Sequence, residues 1–103
     1  MKTKTLNGIL DTVSEVCEVS REELLSRCKR QEVVDARCIF VHFCKQYGFP
    51  SKVIADFLGR QRACVVDNYA HNYHYFSRVS YIMRVYSQQV SDKLSVILPD
   101  THS

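Results

Sequence analysis

The stretch IADFLGRQRACVVDNYAHNY, residues Ile54 to Tyr73, begins as an amphipathic segment, breaks at Gly59-Arg60 and resumes with helical spacing. A short helix, a tight basic turn and a longer helix make the outline of a helix-turn-helix. In a duplex-reading unit of this kind, the first residues of the second helix face base edges. Here those residues are Arg62, Ala63, Cys64 and Val65. Ala and Val offer no side-chain hydrogen bond and Cys only a weak one, which leaves Arg62 as the strong donor.

Helical spacing continues on both sides of this stretch. Upstream, Leu6, Ile9, Leu10, Val13, Val16 and Cys17 fall on one stripe, which predicts a helix from about Thr5 to Glu18. Ser20 followed by Glu23 is a capping box that opens a short helix, Arg21 to Ser26. The polar run Arg27 to Gln31 reads as a loop. The next helix, Glu32 to Tyr47, is apolar nearly all round, as expected of a central buried helix. Gly48 is its natural stop, with Pro50 two residues beyond. Ser51 is then expected to cap a short helix through Leu58, ended by Gly59, before a helix from Arg62 to about Phe76. Val79 to Leu98, with Ile82, Val85, Tyr86, Val90, Leu94 and Ile97, reads as a last helix stopped by Pro99. With three Gly and two Pro in the whole chain, the expectation is an all-α bundle of about six helices.

At 103 residues the chain is expected to form one domain over residues 1–103, with its core at about 6–98. No apolar run approaches the ~18 residues of a membrane span. The start, MKTKTLNGIL, lacks an apolar signal-peptide region. Five cysteines, an odd number with no C-x-x-C pair, suit a reducing compartment, so a cytoplasmic location is expected. The overall charge of +3 is mild, but residues 27 to 62 carry eight Lys/Arg against three acids, a local +5. That basic middle hints at a polyanionic partner.

The segments ILDTVSEVCEVSREELLSRCKRQEVVDARCIFVHFCKQY and VIADFLGRQRACV resemble the C-terminal DNA-binding domain of the bacterial replication initiator DnaA, in the Trp-repressor-like helix-turn-helix group. The similarity runs over about residues 6 to 98. It rests on Val19-Ser20-Arg21-Glu22-Glu23-Leu24-Leu25, on the basic loop Arg27 to Arg30, on Ala36-Arg37-Cys38, and on Ile54 to Val66 for the family's "IG..FG.RDHsTV" signature. The resemblance implies double-stranded DNA as the partner. It also implies phosphate or minor-groove contacts by Arg27, Lys29, Arg30 and Arg37. The family's turn arginine aligns with Gln61, beside Arg60, and its Asp-His-Ser/Thr-Thr aligns with Arg62-Ala63-Cys64-Val65. No G-x-x-x-x-G-K-S/T loop is present, so no nucleotide cofactor is expected and the chain reads as a free-standing copy of the DNA-binding end. Such a chain would be a regulator, a competitor for DNA sites, or a partner of a replication protein.

Each feature also has a plainer reading. Arg60-Gln61-Arg62 is a phosphate grip or a solvated turn. Arg27, Lys29 and Arg30 are phosphate contacts or ordinary surface charge, and Arg37 touches nucleic acid or pairs with Asp35 or Glu32. Cys38 and His42 stand four apart with Cys44 near, yet Cys44 falls about 200° round the helix from Cys38, so three convergent ligands are missing and no metal is expected. His42 reads as a surface residue. The run Tyr69, Tyr73, Tyr75, Phe76, Tyr81 and Tyr86 suits helix packing or self-association more than single-strand stacking, which allows a monomer or a weak homodimer. No spacing suggests catalysis, and no enzyme is expected. The second functional class is a protein-interaction module that kept the fold and docks through Ala63, Cys64, Val65 and Val66.

Overall fold

The computed structural model describes residues 2–59 and 62–97. They form six helices and, among the described residues, no strand. These are α1 (Lys2–Cys17), α2 (Arg21–Leu25), α3 (Gln31–Gln46), α4 (Ser51–Phe57), α5 (Ala63–Val79) and α6 (Tyr81–Ile97). Buried side chains from all six join in one hydrophobic core.

Helix α1 starts at Lys2, earlier than its apolar stripe requires, and buries that stripe on α3 and α6. It stops because Glu18 takes a left-handed conformation (φ 57°), which lets the Val19 N–H reach back to the Ser14 carbonyl at 3.2 Å. The Ser14 hydroxyl donates to the Val19 carbonyl at 2.6 Å and tightens the same turn. The capping box then opens α2 as its sequence demands. The Glu23 N–H donates to the Ser20 hydroxyl at 3.0 Å and the Ser20 N–H donates to the Glu23 carboxylate at 3.1 Å. Arg21 folds back on α1, donating to Asn7 at 2.8 Å and pairing with Asp11.

The central position expected for α3 holds. Val33, Ala36, Cys38, Ile39, Phe40, Val41, Phe43 and Cys44 are all buried, with α1, α2, α4, α5 and α6 packed around them. Gly48 ends the helix at φ 92°, a conformation that would strain a residue with a Cβ. Its N–H bonds the Lys45 carbonyl at 3.0 Å while the Phe49 N–H bonds the Cys44 carbonyl at 3.1 Å, the two bonds of a Schellman stop. Gly59 ends α4 at φ 80°, its N–H bonding the Asp56 carbonyl at 3.1 Å.

Three local expectations change. Ser51 is the first residue of α4 rather than its cap; Pro50 occupies the cap position, and the Ser51 hydroxyl is turned instead towards α5. Helix α5 runs on to Val79, where Ser80 (φ −113°, ψ 118°) breaks the helical path. Arg84 then covers the freed carbonyls of Ser77 and Arg78 at 3.1 and 3.2 Å. Helix α6 buries Met83, Val90 and Leu94, while Ile82 and Ile97 face solvent. Pro99 lies outside the described residues. No described helix is long and apolar enough to cross a membrane.

Candidate nucleic-acid interface

Helices α4 and α5 pack against each other across the Gly59 turn and form the helix-turn-helix. Val66 and Tyr73, two turns apart, bury the inner side of α5, with Tyr69 and Ala70 packed between them. The opposite side is open: Cys64, Asp67, Asn68, His71 and Tyr75 are exposed along it at helical spacing. Arg62 stands exposed at the N-cap position (φ −90°, ψ 153°), and its side chain makes no capping bond. Arg60 and Gln61 lie outside the described residues. The sequence offers His71 only as half of a His71/His74 pair with metal-ligand spacing and marks neither it nor Asn68 as a DNA contact. Their signal was available as the polar positions half a turn away from Val66, once the buried side of α5 is known.

The outer face contains an acid, Asp67, which is held in place. Its carboxylate accepts from the Ser51 hydroxyl at 2.5 Å and from Lys45 Nζ at 3.3 Å. The Ser51 hydroxyl and then Lys45 keep it below the ordinary carboxylate range. This cluster ties α3, α4 and the start of α5 into one unit.

The basic loop lies between α2 and α3. Arg27 and Lys29 are exposed and, among the described residues, take part in no hydrogen bond or ion pair of their side chains. Arg30 caps α3 by position and its guanidinium pairs with the Glu23 carboxylate. The Ser20 backbone N–H, helped by Arg30, holds that carboxyl below its usual pKa. No side-chain bond among the described residues joins this loop to Arg62.

Arg37 differs from its expectation. The sequence leaves it as a DNA contact or a partner of Asp35 or Glu32, yet it is 3% exposed and points into the protein. Its Nε donates to the Leu24 carbonyl at 3.0 Å, Nη1 to Cys28 at 2.6 Å, and Nη2 to Glu23 and Ser26 at 2.9 and 2.6 Å. The reason lies in the packing of α2 and its loop across α3. Helix α2 has five residues, so nearly all its carbonyls lack an intrahelical donor, and a buried guanidinium requires acceptors on several sides.

His42 is a second correction. It is half-buried rather than on the surface, stacked on Tyr73 with ring centroids 3.9 Å apart, and His74 approaches it edge-on at 5.9 Å. The Tyr73 hydroxyl donates to Ser87 at 3.0 Å, so this stack links α3, α5 and α6. Burial, with the neighbouring His74 charge, pushes the His42 pKa down to about 4. The unfolded chain takes up this proton near pH 6.5, whereas the folded chain resists it until about 4. Stability from this site is therefore complete above about 6.5 and declines as pH falls from there to 4. After allowance for solvent screening, the expected loss is about 1–2 kcal/mol. Urea midpoints at pH 7.5 and 5 should show it, and His42→Phe should remove most of the difference while keeping the ring stack.

Cys17, Cys38 and Cys44 behave as small apolar residues of the core. Burial raises the thiol pKa of Cys17 and Cys38 to about 12 and that of Cys44 further, so these sulfurs stay protonated. Among the described residues no three His, Cys, Asp or Glu side chains are grouped to hold a metal ion.

Over residues 6–71 the chain matches the family described as the bacterial dnaA protein helix-turn-helix. That span is more than half of the 103 residues and contains α1 from Leu6 onward, α2 to α4, the turn and the first half of α5. The chain belongs to this family. Its six-helix, all-α architecture is that of a DnaA-type helix-turn-helix domain, and the family is one of DNA-binding domains. No significant match was found among curated proteins or among solved structures. The Arg27 to Arg30 loop and the outer side of α5 up to His71 lie inside the matched span of this DnaA-type domain; Tyr75, the end of α5 and all of α6 lie beyond it.

Proposed function

We propose that this DnaA-type domain binds double-stranded DNA, with α5 in the major groove and the α2–α3 loop on phosphates. The observation that carries this reading is the division of α5. Val66 and Tyr73 fix its inner side to the core, and its outer side presents Arg62, Asn68 and His71 with no packed neighbour over it. Arg62 suits bidentate contact with guanine and Asn68 with adenine. Asp67, the acid on that face, has its charge offset by Lys45. The turn residues Arg60 and Gln61 and the loop residues Arg27, Lys29 and Arg30 complete the proposed set of contacts, and Arg37 leaves it. A monomer, or a weak homodimer, with no membrane attachment and a cytoplasmic location belongs to the same reading, as does service as a regulator or a partner of a replication protein.

The interaction-module reading needs Ala63, Cys64, Val65 and Val66 to share one exposed face. Val66 is fully buried and Val65 is half-buried, so the apolar surface there reduces to Ala63 and Cys64. Duplex DNA is favoured on that observation.

The test is a salt-resolved titration against random-sequence duplex. Affinity should fall steeply as salt rises, because each cation bound to a phosphate releases a counterion. Changing Arg27, Lys29 and Arg30 together to Ala should make the slope shallower by about two to three in log–log terms. Absence of binding at low ionic strength would rule the proposal out.

A further inference from the structure

The structure assigns Arg37 as the positioning residue of the basic loop: its buried guanidinium fixes the backbone from which Arg27 and Lys29 project towards DNA phosphates. The inference rests on the duplex-binding reading for its ligand, but its geometry stands apart from that reading. Nη2 bonds the Ser26 carbonyl and Nη1 bonds the Cys28 carbonyl, both at 2.6 Å, so the guanidinium grips the chain on either side of Arg27. Nε and Nη2 hold the preceding carbonyls of Leu24 and Glu23. A loop of this length with two free cations would otherwise sample many conformations, and ordering them on binding would oppose affinity. The loop adds one anchor of its own, since the Cys28 N–H donates to the Ser26 hydroxyl at 3.1 Å and that hydroxyl donates to the Glu23 carbonyl at 2.8 Å. Arg30 is tied separately, through Glu23.

Arginine is required because one planar group must reach four carbonyls. A lysine ammonium is a point donor with three protons and cannot span them, though it keeps the charge. Arg37→Lys therefore separates position from charge. In that variant, amide hydrogen exchange at residues 26–30 should quicken by about tenfold or more, as local opening becomes easier, while α1 and α3 keep their protection. The salt slope on random duplex should become shallower by about two, matching the Arg27→Ala/Lys29→Ala double variant. Added to that double variant, Arg37→Lys should cost no further affinity, since the groups it positions are gone.

Several results would overturn the assignment. Unchanged exchange at 26–30 would mean that the guanidinium does not hold the loop. Faster exchange with an unchanged salt slope would reduce Arg37 to folding alone. A further loss of affinity in the triple variant would make it a direct DNA contact. If the unaltered protein fails to bind duplex at low salt, the duplex-binding reading falls and the exchange data alone decide whether Arg37 positions the loop.

Discussion

A duplex carrying the initiator's usual box should bind this protein no more than about threefold more tightly than a scrambled duplex of the same length, because each missing base contact removes about 1–3 kcal/mol of discrimination. The family's Asp-His-Ser/Thr-Thr reads bases and phosphates at the start of the second helix, and Arg62-Ala63-Cys64-Val65 stands there instead. The structure sharpens this expectation. Val65 is half-buried, Ala63 and Cys64 are exposed without a strong donor, and Arg62 alone projects a fork of donors from the helix start. Whatever preference the protein has should centre on a guanine. Arg62→Ala should lower that preference by about 1–3 kcal/mol and leave phosphate-driven binding in place. Competition between box and scrambled duplexes measures the first effect, and selection from a random pool measures the second. A box preference of about a hundredfold or more would mean that specificity comes from elsewhere, such as DNA shape.

Phe40→Ala should destabilise the fold by about 3–5 kcal/mol, enough to leave little folded protein at physiological temperature. Phe40 is fully buried in α3 and stacks on Phe57 of α4 with centroids 5.9 Å apart. Removing its ring opens a cavity between the central helix and the first helix of the helix-turn-helix. Neither helix can close over it without moving α5, which packs on both. Thermal melting of Phe40→Ala beside Tyr81→Ala makes the comparison. Tyr81 is 73% exposed, and its loss should change stability by less than about 0.5 kcal/mol. Equal effects of the two substitutions would contradict the central place of α3.

The number and order of helices were legible because their signals are local. A stripe at 3.6-residue spacing marks α1, a reciprocal Ser20–Glu23 cap opens α2, and Gly48 and Gly59 end α3 and α4 in conformations that favour glycine. The bounds were less legible. Ser51 has the chemistry of a cap, but Pro50 takes the position and the hydroxyl serves Asp67, sixteen residues away. The end of α5 depends on Arg84, which arrives from the following helix to cover its carbonyls.

The site divides along the same line. Arg27, Lys29 and Arg62 were recognisable as cations in a loop and at a helix start, and they remain exposed. Arg37 carried a usable signal, a charge between Ala36 and Cys38 in a mostly apolar stretch of α3, but the residue type does not tell whether such a charge faces solvent or buried acceptors. Only the packing of α2 across α3 supplies four carbonyls within reach, and desolvation then makes their bonds to the guanidinium obligatory. His42 was misplaced for the same reason: its neighbours Tyr73 and His74 come from α5, about thirty residues later in the chain. Helix content, order and charge placement follow from interactions within four or five residues, which the chain states directly. Which face of α5 is open, and which arginines are free to meet a phosphate, depend on contacts between helices distant in sequence, and those exist only once the chain has folded.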